Sequence, residues 1–336
     1  MQGRLENELK IQMKVDNMLC VMPNYVNEWY LNLKASRCTP STCKDYVAKI
    51  KKFLEYIDDD ISNVKTEQIN FQTIESYFIS IQVKTDNTGY MNYTSDSYQI
   101  SVWYAIDNFL NFLHKRKYID EVYTSYIHKP KNKDLDRINE NRVLLTQKDF
   151  KKMMSVVKNG GKGDKTFSEQ LRNRDILIMS LFMLTGMRET ALTEINIDDF
   201  NLETNTLQVI DKGNKTHYYP LNSDVISVYT EWLTDRSQIV DRNQDALFIN
   251  YKGERISSRG ISKLVKKYSE LALGYPISPH KLRSGFCSIL YEKTHDTEFV
   301  RRAVGHSSIR TTQRYIKTNN DERKKASEIM NNIINI

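Results

Sequence analysis

Residues 280–315 read HKLRSGFCSILYEKTHDTEFVRRAVGHSSIRTTQRY, and this stretch organises the chain. His280 and Arg283 stand three positions apart, so on a helix they share a face. Gly305-His306 marks the end of one helical run and the start of another, and Tyr315 follows nine residues after His306. Imidazoles and a guanidinium gathered near a phenol suit chemistry on anionic oxygens, because Arg and protonated His stabilise such oxygens. The stretch does not supply a complete site alone, so the rest of the chain must add further basic groups.

The length of 336 residues allows two domains with real cores. A net charge of +7 favours an acidic partner without identifying it. Cys20, Cys38, Cys43 and Cys287 form no CxxC pair, which fits a reducing compartment better than a disulfide framework or a zinc ribbon. The opening MQGRLENELKIQMKVD is too polar for a signal peptide, and the most apolar run, 176–184, is too short to span a bilayer. The expectation is a cytoplasmic, nucleoid-associated protein with no membrane partner.

Apolar periodicity of about 3.6 residues predicts a helical first domain over 1–128. Residues 1–20 form a helical extension with Leu5, Leu9, Ile11 and Val15. A second helix over 22–35 buries Tyr25, Val26, Trp29, Tyr30 and Leu33. Thr39-Pro40 starts a third, because Thr caps free amides and Pro loses no hydrogen bond at the first helical position. That helix buries Tyr46, Val47, Ile50, Phe53, Leu54 and Ile57 and turns Lys44, Lys49, Lys51 and Lys52 outward. Helices over 72–82 and 95–115 complete an all-helical bundle, with 83–94 as a polar loop. Residues 129–142, KPKNKDLDRINENR, are almost devoid of apolar side chains and read as a linker.

A second domain over 143–336 opens on Thr146-Gln-Lys-Asp149, a capping-box-like start. NGGKGDKT at 159–166 lacks the spacing of a phosphate-binding P-loop and reads as a loop. Residues 175–184 are apolar all round, which predicts a buried central helix ending at Thr185-Gly186. TLQVI (206–210) and THYYPL (216–221) flank DKGNK as a hairpin, and 247–257 reads as a second, short hairpin around Gly253. Helices are expected over 222–233, 258–272, 279–293, 296–304 and 307–316, with a last amphipathic one over 321–334.

Taken in order, Thr185-Gly186-Met187-Arg188, Lys212-Gly213-Asn214-Lys215 with Tyr219-Pro220-Leu221, His280-Lys281-Leu282-Arg283, Gly305-His306-Ser307-Ser308 and Thr311-Thr312-Gln313-Arg314-Tyr315 resemble the tyrosine recombinases, the family of phage and transposon integrases and chromosome-dimer resolvases. The resemblance runs over about 130 residues and implies a mainly α fold with a small β section: a helical core-binding domain followed by an α+β catalytic domain. It implies site-specific DNA recombination through a 3′-phosphotyrosyl intermediate. It names Arg188, Lys212, His280, Arg283, His306 and Tyr315 as catalytic, with neither cofactor nor metal. The implied partners are duplex DNA with specific recombination sites, a homotetramer joined by the C-terminal helix, and an accessory directionality factor. The short stretch before residue 22 leaves little room for an arm-binding domain.

The chemistry accounts for these residue types. Arg188, Arg283 and His306 would neutralise a phosphodiester as charge builds on it. A phenol has an unperturbed pKa of about 10, so Tyr315 needs a base, and the family assigns His280. The departing 5′ oxygen needs an acid, and the family places Lys212 there, with Lys215 as the rival. Lys44, Lys49, Lys51, Lys52, Lys215, Arg310 and Arg314 are the candidate DNA-backbone contacts. One departure stands out: the family often carries an acid three residues after the first Arg, where this chain has Ala191, with Glu189 and Glu194 nearby. His280, His306 and Cys287 match no recognisable zinc spacing. Two rival readings are a type IB topoisomerase and a DNA-binding accessory protein with a decayed site.

Overall fold

The computed structural model describes residues 2–85, 89–131, 145–160, 169–211, 215–240 and 244–305. Lys212, His306, Arg310, Arg314, Tyr315, and the helices expected over 307–316 and 321–334 lie outside the described residues, as do most of the linker and most of NGGKGDKT. The chain divides into two compact units at residues 140 and 141.

The N-terminal unit contains α1 (Gln2–Leu19), α2 (Asn24–Ala35), α3 (Pro40–Ile57), α4 (Phe71–Ser80) and α5 (Asp96–Lys115). Thr39 caps α3 by accepting from the Thr42 amide, with Pro40 at the first helical position. The apolar stripe of α3 does what its spacing predicts: Val47, Ile50, Phe53 and Leu54 are fully buried. Trp29 of α2 is buried against Phe109 of α5, and its Nε1 donates to Asn108 Oδ1 at 2.8 Å. The first helix is more than an extension. Val15 and Leu19 enter the core while Leu5 and Leu9 stay exposed.

Two readings of this unit are corrected. The loop expected over 83–94 contains an antiparallel ribbon, β1 (Val83–Thr85) and β2 (Met91–Tyr93), with Lys84 opposite Asn92. All six strand residues are exposed, so no buried face imposes the alternation by which a strand is read from sequence. The unit is therefore not all-helical. Lys49 does not share the exposed lysine face. It is buried, and its ammonium bonds Asp45 one turn back on α3. Lys44 and Lys51 are half-buried, with Lys51 Nζ 3.6 Å from Glu55, and Lys52 is exposed with its ammonium 5.9 Å from the Tyr98 ring centre.

The C-terminal unit begins with α6 (Gln147–Lys158). Thr146 and Asp149 cap each other's backbone amides, and those hydrogen bonds hold the Asp149 carboxyl below its ordinary range. Next come α7 (Arg172–Thr185) and α8 (Glu189–Thr193). An antiparallel sheet follows in the order β3 (Phe200–Asn201), β4 (Thr206–Asp211), β5 (Lys215–Pro220), so the expected hairpin gains a third short strand. The rest is helical: α9 (Ser223–Ser237), α10 (Ser258–Leu273), α11 (Pro279–Thr294) and α12 (Thr297–Ala303).

Helix α7 is the centre of this core, although Leu184 at its end is exposed and burial is not uniform around it. It also carries a buried ion pair. Arg174 Nη2 lies 2.6 Å from Asp175 Oδ1, Tyr268 of α10 donates to Asp175 Oδ2 at 2.8 Å, and Arg174 Nη1 donates to the Ile249 carbonyl at 2.7 Å. The short hairpin expected over 247–257 turns at Gly253: Ile249 bridges Arg255, the Asn250 amide donates to the Glu254 carbonyl at 2.7 Å and the Ile256 amide to the Phe248 carbonyl at 2.9 Å. Just before that bridge, Trp232 donates to the Leu247 carbonyl and Arg236 to that of Ala246, both at 3.0 Å.

Removing one member of a buried ion pair leaves the other charge uncompensated, at a cost of about 3–5 kcal/mol. Asp175→Ala is therefore expected to lower the stability of the full chain by about that amount. Urea unfolding followed by the fluorescence of Trp232 and its neighbours measures it as a lower midpoint with unchanged slope.

Candidate active site

The geometry starts at the end of α7. Gly186 caps that helix in the left-handed conformation, with φ of +59°. A methyl group at this position would stand 2.5 Å from Cδ1 of Phe286, so both the turn and the neighbouring ring require glycine. Thr185 Oγ1 tightens the turn by donating to the Leu181 carbonyl at 2.6 Å and accepting from the Met187 amide at 3.2 Å. Met187 is buried, and Arg188 follows as the half-buried, extended N-cap of α8.

Pro279 opens α11 and puts His280 and Arg283 on successive turns of one face. His280 is exposed, and its carbonyl accepts from Ser284 Oγ at 3.0 Å. Arg283 is buried to 3% exposure. Its Nη1 donates to the Gly186 carbonyl at 2.6 Å and its Nη2 to the Val304 carbonyl at 2.7 Å. These carbonyls belong to the C-caps of α7 and α12. A single guanidinium thus joins the turn that leads into Arg188 to the turn that leads into Gly305-His306. Gly305, like Gly186, has positive φ, at +66°.

The neighbourhood of Arg188 differs from the expected pattern. Ala191 is buried among the core side chains of α8, so position 191 faces apolar surroundings. Glu189 bonds elsewhere: Ser262 Oγ of α10 donates to its Oε1 at 2.9 Å, and burial pushes its carboxyl above the ordinary range. Cys287 is buried beside Val300 and Val304, and burial pushes its thiol up to about 11. Lys215 is exposed at the start of β5, opposite Asp211. The carbonyls of Gly186 and Val304 are the part of the site that reading side chains missed. Their only signal is the pair of glycines that end the helices.

The sequence model of the phage integrase family matches residues 144–322, more than half of the chain and all six candidate catalytic positions. The chain belongs to that family. The tyrosine recombinase XerC of Pseudomonas fluorescens is 37% identical over 145 residues, which cover 43% of this chain and 48% of the relative's length. The tyrosine recombinase XerD of Staphylococcus epidermidis is 29% identical over 313 residues, 90% of this chain and 97% of the relative. Among solved structures, the XerH recombinase bound to difH substrate in a pre-cleavage complex aligns with a TM-score of 0.61 at 24% identity, covering 88% of this chain and 81% of that one. A lambda integrase tetramer bound to a Holliday junction aligns at 0.56 and 17% identity, covering 87% and 76%. The fold is thus that of the tyrosine recombinases, a mainly helical chain with a small β section in the catalytic unit.

Gly186→Ala combines a left-handed backbone with a clash, and a loss of about 1–3 kcal/mol is expected. Adding Phe286→Ala removes the clash and leaves the backbone term. In a double-mutant cycle read by thermal unfolding, the pair should therefore cost less than the sum of the two single losses.

Proposed function

We propose that the chain is a site-specific DNA recombinase that breaks and rejoins strands through Tyr315. The observation that carries this reading is the Arg283 guanidinium, buried and fixed between the ends of α7 and α12, because it ties the Arg188 turn to the turn before His306.

On this reading Arg188, Arg283 and His306 bind the non-bridging oxygens of the scissile phosphate and stabilise the charge that builds there. His280 accepts the phenolic proton as Tyr315 Oη attacks phosphorus. The bond from phosphorus to the 5′ oxygen breaks, and Lys212 supplies the proton that makes the leaving group a neutral hydroxyl. The product is a 3′-phosphotyrosyl ester, which retains the bond energy. A 5′-hydroxyl from a second duplex reverses the step without ATP or a metal ion. Lys44, Lys51, Lys52, Lys215, Arg310 and Arg314 contact the DNA backbone, so affinity falls steeply with salt. Lys49 leaves this set because its ammonium is buried against Asp45. The active assembly is a homotetramer on two duplexes, joined through the C-terminal segment over 321–334 and steered by an accessory directionality factor. It acts on the nucleoid to integrate, excise or resolve a DNA element.

Tyr315→Phe is expected to abolish the SDS-resistant adduct on nicked duplexes made from DNA flanking the gene, while mobility-shift affinity for the same duplexes stays within about twofold. Because arginines, and not a metal, carry the charge stabilisation, EDTA should leave adduct formation by the wild-type chain unchanged. Loss of binding in the Phe variant, or strong inhibition by EDTA, would overturn the reading.

A further inference from the structure

The ribbon β1–β2 adds nothing to the apolar core of the N-terminal unit. Its six paired residues are exposed, with Val83 at 40%, Met91 at 71% and Tyr93 at 88%. A two-stranded ribbon with no layer packed on it is marginal in water. This one nevertheless has a fixed register, Val83 with Tyr93, Lys84 with Asn92 and Thr85 with Met91. Its base is fastened as well. The Thr94 amide donates to the Gln82 carbonyl at 2.8 Å, Thr94 Oγ1 to the Ile81 carbonyl at 2.7 Å, and Gln99 Nε2 of α5 to the Thr94 carbonyl at 3.2 Å. The ribbon is thus held between the end of α4 and the start of α5.

Its two faces differ in chemistry. Side chains alternate along a strand, so Val83–Tyr93 and Thr85–Met91 share one face and Lys84–Asn92 takes the other. A β-branched residue opposite an aromatic one is a favourable cross-strand pair, so the first face holds the two strands together. Lys84 and Asn92 add little of that kind. They offer instead an ammonium and a side-chain amide on neighbouring strands, both exposed on one face. Lysine donates to the O6 and N7 acceptors of guanine, and asparagine matches the N6 donor and N7 acceptor of adenine. Those edges line the major groove, which admits a two-stranded ribbon. A second exposed cation stands near the ribbon's base: the Lys52 ammonium lies 5.9 Å from the ring centre of Tyr98, in the first turn of α5.

We propose that β1–β2 is a sequence-reading element that lies in the major groove of the bound duplex, with Lys84 and Asn92 on base edges and Lys52 on a nearby phosphate. These two ribbon residues then set part of the site preference. The assignment rests on the reading of the chain as a site-specific DNA recombinase, and not on the chemistry at Tyr315. The competing occupant is a second copy of the chain seated on the apolar face, which needs Met91 where base reading needs Asn92.

The full chain is used to select bound sequences from a pool of random duplexes, and Lys84→Ala, Asn92→Ala and Met91→Ser pass through the same selection. Asn92→Ala removes no charge and no core side chain, so its thermal midpoint should match wild type and its affinity for an unrelated duplex should stay within about twofold. Its affinity for the sequence selected by the wild type is expected to fall about 5- to 150-fold, with the preference for adenine lost at one base pair. Lys84→Ala should lose a preference for guanine at a neighbouring base pair, and Met91→Ser should keep the whole wild-type preference. An unchanged preference in both polar-face variants would overturn the proposal. So would equal weakening of Asn92→Ala on selected and unrelated duplexes, which marks a contact to the backbone alone. Loss of cooperative binding to a duplex with two selected sites, confined to Met91→Ser, would replace it with a contact between copies. If the wild-type chain enriches no sequence, the site-specific reading itself falls and takes this assignment with it.

Discussion

The C-terminal unit depends on one buried guanidinium holding two helix ends. The last carbonyls of a helix have no partner within it and carry the negative end of its dipole. Arg283 meets this need twice, at Gly186 for α7 and at Val304 for α12. The arrangement suits Arg and not Lys, because a planar fork with fixed donor directions can bridge two carbonyls where an ammonium offers one point of charge. It also holds the guanidinium in one orientation.

The two glycines follow from the same constraint. For a C-cap carbonyl to turn toward Arg283, the chain must leave each helix sharply. Gly186 at +59° and Gly305 at +66° take the left-handed conformation that makes such an exit. Phe286, three residues along α11 from Arg283, packs on Gly186, so the helix that supplies the guanidinium also supplies the ring that keeps position 186 small. The candidate site is thus a product of helix termination, and its precision comes from a core packed around α7.

This explains why so much was legible in the sequence and where legibility stopped. Stripes such as Val47, Ile50, Phe53 and Leu54 announce helices because burial imposes their period. The glycines and the cap at Thr146 announce ends because only certain residues satisfy them. The ribbon β1–β2 stayed hidden because all its side chains face solvent and nothing selects an alternation. The short hairpin over 247–257 was legible because its buried apolar residues flank a turn at Gly253, where the Ile249–Arg255 bridge closes. Lys49 reads as surface from its neighbours, and its burial follows from a pairing with Asp45 that a charge pattern cannot assign to one face.

Ala191 stands where the family pattern often carries an acid, and it is buried in the apolar core. An acid at that position would point into the apolar core that surrounds Ala191, where a carboxylate without a partner is expensive. Of the two nearby carboxyls, Glu189 is half-buried and accepts a hydrogen bond from Ser262. Burial raises its pKa, so its surroundings work against its charge. Glu189 therefore ties α8 to α10 more effectively than it offsets the charge of Arg188. The backbone that leads into Arg188 is fixed by the Gly186 turn, the buried Met187 and, through the Gly186 carbonyl, Arg283. The two arginines are coupled through the backbone of that turn.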